Sequence, residues 1–136
     1  MELSLARDFL RSHPRSILAT SRSDGRPQMS PIMHAVDDDG RLLVSSREPA
    51  FKVRNLLRNP AASVLAISDG FFGEWVQVDG TAEIVSLPEA MELLVDYYRR
   101  VSGEHADWDD YRRAMVTDKR CVIRISIVTA GPDRKG

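Results

Sequence analysis

RSILATSRSDGRPQMSPIMHAVDDDGRLLVSS, residues 15–46, decides the fold. Apolar and polar residues alternate through three runs, RSILATSR, PQMSPIMHAVD and RLLVSS, and the two breaks between them, SDGR and DDG, both carry Asp-Gly. Alternation with a period of two marks strands with one buried face, and Asp-Gly supplies the backbone freedom of a tight hairpin turn. The stretch predicts an antiparallel meander. Pro27 and Pro31 have no amide proton, so the second strand is expected to sit partly unpaired. A bulge or an open edge around Ser30-Pro31 would leave backbone groups for a ligand.

Outward from this meander, Leu3, Leu5, Ala6, Phe9 and Leu10 recur at helical spacing until His13-Pro14 ends the run. On the other side, Pro49 suits a first helical turn and Asn59-Pro60 a stop, which predicts a helix over 49–58 with Ala50, Val53, Leu56 and Leu57 as its apolar stripe. AASVLAIS and EWVQVDGTAEIVS read as two further strands across DGFFG, whose two phenylalanines are too apolar for a bare loop and predict a cover. LPEAMELLVDYYRRVSG is a helix that keeps Met91, Leu94, Val95, Tyr98 and Val101 near one face and ends at Gly103. A polar helical segment, GEHADWDDYRRAMVTDKR, precedes the last strand, CVIRISIV, and the tail GPDRKG reads as loose. The sum is about six strands in hairpin order with inserted helices. That is a mainly β, α+β architecture: a closed or nearly closed antiparallel barrel with peripheral helices.

The chain has 136 residues, 43% hydrophobic and 29% charged, with net charge −1. These values suit one soluble domain over 1–136 and lack the basic excess of a nucleic-acid binder. Cys121, alone of its kind, cannot form an intrachain disulfide, and MELSLARDFL has neither the basic nor the apolar region of an export signal, so a cytoplasmic location is expected. No apolar run approaches the roughly 20 residues of a membrane-spanning helix, so membrane insertion is not expected.

Signatures for nucleophiles, nucleotides and zinc are missing: there is no G-x-S-x-G, P-loop, G-x-G-x-x-G, H-E-x-x-H or cysteine pair. His13, His34 and His105 lie in different elements without ligand spacing, so no metal site is expected. The informative stretch runs from Ser45 to Asn55, where a strand ends in two hydroxyls and a helix starts with Lys52 one turn inside. Free amides at a helix start, hydroxyl donors and an ammonium together suit an anion such as phosphate, and Arg47 and Arg54 can reinforce them. The bland alternative is that Ser46 caps the helix while Lys52 and the arginines face water. Spacing does not separate the two.

Gln28, Ser30 and Pro31 form a second cluster, either a backbone edge for a flat polar ring or an ordinary edge strand. Trp75, Phe71 and Phe72 form a third, either a pocket wall or core. Gln77 shares the face of Trp75 and is polar, which argues that this face is not pure core. Cys121 reads as a small buried hydrophobe.

DGRPQMSPI, DDDGRLLVSS, EPAFKVRNLLRNPAAS, VDGTAEIV and GEHADWDDYRRAMVTDKR together resemble the flavin and deazaflavin oxidoreductase superfamily, whose fold is the pyridoxamine 5′-phosphate oxidase-like split β-barrel. The last segment is similar to one subgroup of the small reductases that use the deazaflavin coenzyme F420. The resemblance implies a homodimer with the cofactor in a groove between subunits. It places phosphate at Ser45, Ser46, Phe51 and Lys52, with Asn55 closing the junction, and the ring along Gln28, Ser30, Pro31 and Ile32. Trp75, with Trp108 or Asp109, is expected to reach the cofactor from the partner chain, and Gln77 beside Trp75 is a further cofactor-binding candidate. One departure is Ala50, where the subgroup often has arginine, which leaves Arg47 or Arg54 to supply the charge. The implied activity is hydride transfer from reduced F420 to a conjugated small-molecule acceptor. The alternatives are an FMN-binding pyridoxamine phosphate oxidase-like protein, a cofactor-binding protein without turnover, and a barrel that has lost its ligand.

Overall fold

The computed structural model describes residues 1–133. The expected order of elements is present, with boundaries set by local chemistry. Helix α1 (Leu3–Ser12) ends at His13, before Pro14. Strands β1 (Arg15–Ser21), β2 (Pro27–Met33), β3 (Ala35–Val36) and β4 (Leu42–Arg47) form the meander. Gly25 at φ +87° and Gly40 at φ +78° take the left-handed conformation that both Asp-Gly turns require. Then follow α2 (Phe51–Arg58), β5 (Ala61–Ile67), β6 (Trp75–Ser86), α3 (Ala90–Ser102), α4 (Trp108–Thr117) and β7 (Arg120–Gly131).

The antiparallel sheet has seven strands in the order β2-β1-β5-β6-β7-β4-β3, not about six. The extra strand arises because the run PQMSPIMHAVD divides at His34. Up to Met33 the chain pairs with β1, and from Ala35 it pairs with β4. The two edge strands of the sheet are thus neighbours in sequence, so the sheet must curl until its edges meet through His34. The fold is an antiparallel split β-barrel with helices on its outside, of the α+β class.

Alternation sorts the side chains. Leu18, Val44, Val64, Val78, Cys121, Ile123 and Ile125 point inward, where α1 adds Ala6 and Leu10 and α2 adds Val53 and Leu56. Leu43 and Val122, one residue out of phase, face outward and are covered by Leu94 and Val95 of α3 and Tyr111 of α4. The outward face of β2, β1 and β5 has no such cover. Met29, Met33, Ile17, Leu65 and Ile67 are exposed there, joined by Trp75 at the start of β6.

Several expectations are corrected. Residues 49 and 50 precede α2 rather than belonging to it, and Leu57 points into solvent at 66% exposure. Phe71 and Phe72 pack edge to face on each other but remain 77% and 96% exposed, so within the chain nothing covers them. The final strand starts one residue earlier than CVIRISIV and extends to Gly131. Residues 134–136 of the predicted loose tail lie outside the described residues. No helix is long and apolar enough to cross a membrane.

Candidate functional site

Strand β2 shows why its prolines are tolerated. The ladder with β1 runs unbroken from Arg15 opposite Met33 to Ser21 opposite Pro27, so the expected bulge is absent and the open edge is present. The amide of His34 donates to Pro14 O, while the carbonyl of Met33 accepts from Tyr97 Oη on the other side at 2.9 Å. Even-numbered residues therefore bond toward β1, and odd-numbered ones point their backbone groups outward. Pro27 and Pro31 stand at outward positions where no ladder bond is lost. The free edge consequently offers the carbonyls of Pro27, Met29 and Pro31 with a single amide, that of Met29, among them.

Beside this edge lies a cleft of about 460 Å³ lined by Ser45, Ser46, Arg47, Pro49, Ala50, Phe51, Lys52 and Arg120. Ala50 occupies the N-cap of α2 and no side chain caps the helix. Ser46 instead sits within β4, paired with Cys121, which removes the capping alternative. The amides of Phe51 and Lys52 have no acceptor among the described residues, and they carry the partial positive charge of a helix start. Lys52 Nζ donates to Ser30 Oγ at 3.3 Å and has no ion-pair partner among the described residues. Burial lowers its pKa below the ordinary lysine value, and the nearby Arg120 guanidinium lowers it further. Ser45 and Ser46 both line the cleft, although as strand neighbours their side chains leave opposite faces.

Arg120 is the residue the sequence reading missed. It arrives through the pairing of β7 with β4, opposite Arg47. Its Nε is buried without a hydrogen-bond partner, since Asp118 Oδ2 at 3.9 Å is too far to accept. A partly exposed guanidinium whose Nε lacks an acceptor, beside a half-buried ammonium, suits an anion. Of the two arginines expected to replace the charge missing at Ala50, Arg47 lines the cleft and donates from Nε to Asp118 O at 3.0 Å. Arg54 does not line it.

The other expected residues divide by location. Gln28, Ser30 and Ile32 share the inward face of β2, and Pro31 lies on the outer face with Met29. Gln28 and Asn55 line a second recess of about 340 Å³ with Arg22, on the far side of Phe51. Asn55 is itself held, donating to Thr20 Oγ1 at 3.1 Å and accepting from Arg58 at 3.1 Å. Trp75 and Gln77 lie on the bare outer face, and Asp109 is exposed in the first turn of α4. None of these three joins the cleft within one chain. Cys121 is fully buried, and burial with the Glu48 charge pushes its pKa up to about 11 against the pull of Arg120, so it stays a thiol. Among the described residues no cluster of His, Cys, Asp or Glu can hold a metal ion.

Comparison with known proteins agrees with this fold. A conserved hypothetical protein of Mycobacterium tuberculosis is similar at 30% identity, with a TM-score of 0.78 over 96% of this chain and 82% of that one. An F420 reductase shares the fold at 24% identity and a TM-score of 0.70, over 90% and 93% of the two chains. A FAD-binding protein of Mesorhizobium loti shares it at 22% identity and a TM-score of 0.67, over 96% and 92%. The family model described as pyridoxamine 5′-phosphate oxidase matches residues 4–131. With nearly its whole length matched and the barrel in place, this chain belongs to the pyridoxamine 5′-phosphate oxidase family.

Proposed function

We propose that this protein is a coenzyme F420-dependent reductase that moves a hydride to a planar, conjugated small-molecule acceptor, acting as a homodimer in the cytoplasm. The observation that carries this reading is the joining of two features by one hydrogen bond. Lys52 belongs to the cationic cleft, Ser30 belongs to the open strand, and they touch at 3.3 Å. A ligand with a phosphate at one end and a flat ring with a polar edge at the other fits both. The reduced deazaflavin supplies the hydride when bound.

The chain's own residues then hold and orient. Lys52, Arg120 and the amides of Phe51 and Lys52 receive the phosphate. The outward carbonyls and the Met29 amide of β2 meet the ring edge. A side-chain nucleophile is not needed for such a transfer, which accords with the missing signatures. Favouring F420 are the resemblance carried by residues 103–120 and the F420 reductase that shares the fold. The homodimer is supported by the bare apolar face of β2, β1 and β5, because contiguous exposed apolar surface of this kind marks an interface. A second copy would also bring Trp75 and Asp109 from outside the chain. The free, buried Cys121 suits a reducing cytoplasm.

An FMN-binding reading has one observation in its favour, the FAD-binding protein of the same fold. Titration of the apo-protein with F420 and with FMN, followed by cofactor fluorescence and tryptophan quenching, separates the two. Tight F420 and weak FMN binding are expected. The reverse order moves the protein to the flavin branch, and binding of neither leaves a barrel without a cofactor.

A further inference from the structure

The chain has three tyrosines, all on α3 and α4, and the structure uses them differently. Tyr111 Oη donates to Leu94 O at 2.8 Å within the outer core cluster, where burial pushes its pKa up to about 12. Tyr98 packs its ring among His105, Trp108 and Tyr111, at centroid distances of 5.0, 5.7 and 5.1 Å. Tyr97 turns the other way. Its hydroxyl crosses from α3 to β2 and donates to Met33 O at 2.9 Å, in an exposed bond. Among the described residues it is the one side-chain donor that reaches the backbone of the open edge.

Met33 O is the last of the outward carbonyls in that row. The one before it, Pro31 O, lies two residues back, roughly 7 Å away by ordinary strand rise. A flat ring bonded to the Met29 amide and the Pro31 carbonyl, with an acceptor stacked on it, therefore ends beside the phenol. Met33 O is open to water, so the hydroxyl can leave it at little cost. The charges around it suit a donor. Burial raises the Tyr97 pKa above the ordinary phenol value, and the Arg120 charge pulls against that rise. At neutral pH the phenol keeps its proton, and the guanidinium favours the phenolate that donation leaves behind.

We propose that Tyr97 is the proton donor of the reduction, its Oη–H turning from Met33 O to the carbonyl oxygen of a conjugated acceptor. This rests on the reductase reading and names the residue that completes it. The hydride forms a new C–H bond at the carbon β to the carbonyl, and the electron pair of the C=C bond shifts toward the oxygen. There the phenol O–H bond breaks and an O–H bond forms, giving an enol that returns to the saturated carbonyl in water. A proton from water restores the phenol. The acceptor is reduced by two electrons and the deazaflavin is oxidised by two, so hydride and proton together account for the added hydrogen.

Tyr97→Phe removes one oxygen and tests this with two acceptors and reduced F420. Cyclohex-2-en-1-one needs a proton as well as a hydride, and its kcat should fall roughly 100-fold or more. Methylene blue, a cation, takes a hydride alone, and its rate should stay within about threefold, as should F420 affinity. A reading independent of turnover comes from infrared difference spectra with oxidised F420. The carbonyl stretch of bound cyclohexenone should move to lower frequency in wild type and not in the variant. Equal losses with both acceptors make Tyr97 a mere fastening of α3 to β2 and overturn the proposal, as does an unchanged cyclohexenone rate or the same stretch in both proteins. A wild type that binds F420 but does not reduce cyclohexenone overturns it alone, whereas one that does not bind F420 overturns the reductase reading as well.

Discussion

Two buried polar groups, the His34 ring and the Nε of Arg120, are treated in opposite ways. His34, 1% exposed, has both ring nitrogens engaged: Nε2 lies 2.8 Å from Leu10 O and Nδ1 2.8 Å from Ser16 Oγ. Because a carbonyl can only accept, Nε2 carries the proton and Nδ1 accepts from the serine hydroxyl. Arg120 Nε, equally cut off from water, has no partner. The satisfied group ties α1 and β1 to the point where the two sheet edges meet, so it is part of the frame. The unsatisfied one faces a cleft with a second cation, so it waits for a ligand.

The largest effect should come from the frame. His34→Leu strips partners from a buried carbonyl and a buried hydroxyl and is expected to destabilise the protein by roughly 2–4 kcal/mol, read from chemical denaturation. Cofactor affinity per folded molecule should stay within about threefold, since nothing in the cleft is touched. The same residue gives acid sensitivity of known sign. Burial holds the folded pKa of His34 below the ordinary histidine value of 6.5, against the raising effect of the Leu10 hydrogen bond. Its contribution is complete above that value and is lost as pH falls through the lower folded one. The variant should lose this part of the acid dependence, and an unchanged acid limb would place the titration elsewhere.

The ligand side should respond in the opposite pattern. Lys52→Ala is expected to weaken cofactor binding about 10- to 100-fold while changing stability by no more than about 0.5 kcal/mol. Arg120→Met should also weaken binding but leave the apo-protein as stable or more so, because it removes a buried donor that has no acceptor. Equal affinity in either variant would sink the phosphate assignment. The smallest effect is Ala50→Ser, which gives α2 the side-chain cap it lacks. Apo stability should rise by about 0.5–1 kcal/mol, with a slightly weaker anion site because the new hydroxyl competes for the same amides.

The contrast also explains which parts of the molecule were legible in the sequence. Hairpins and helices announce themselves locally, through the Asp-Gly turns, the alternation of β1 and β4, and the periodicity of α1 and α3. The start of α2 is local as well, so spacing pointed to an anion site there without separating it from a solvated helix start, and it set the helix two residues early. Arg120 was not, because only the register of β7 on β4 carries it next to Lys52, and register is a long-range property. His34 looked like a residue inside one strand because the switch of pairing partner at that point leaves no mark in the alternation. For Trp75 and Asp109 the resemblance pointed to a neighbouring subunit. Within one chain both lie away from the cleft, and one chain's sequence encodes a quaternary contact only as unexplained exposure.

The edge of β2 has a consequence beyond ligand recognition. An intruding strand needs a regular row of alternating donors and acceptors to extend a sheet, and Pro27 and Pro31 delete donors from that row while keeping its carbonyls. A bare edge beside an apolar face is otherwise a template for amyloid-like stacking. The prolines therefore let this barrel keep an unpaired rim in its unliganded form without recruiting other chains into fibrils.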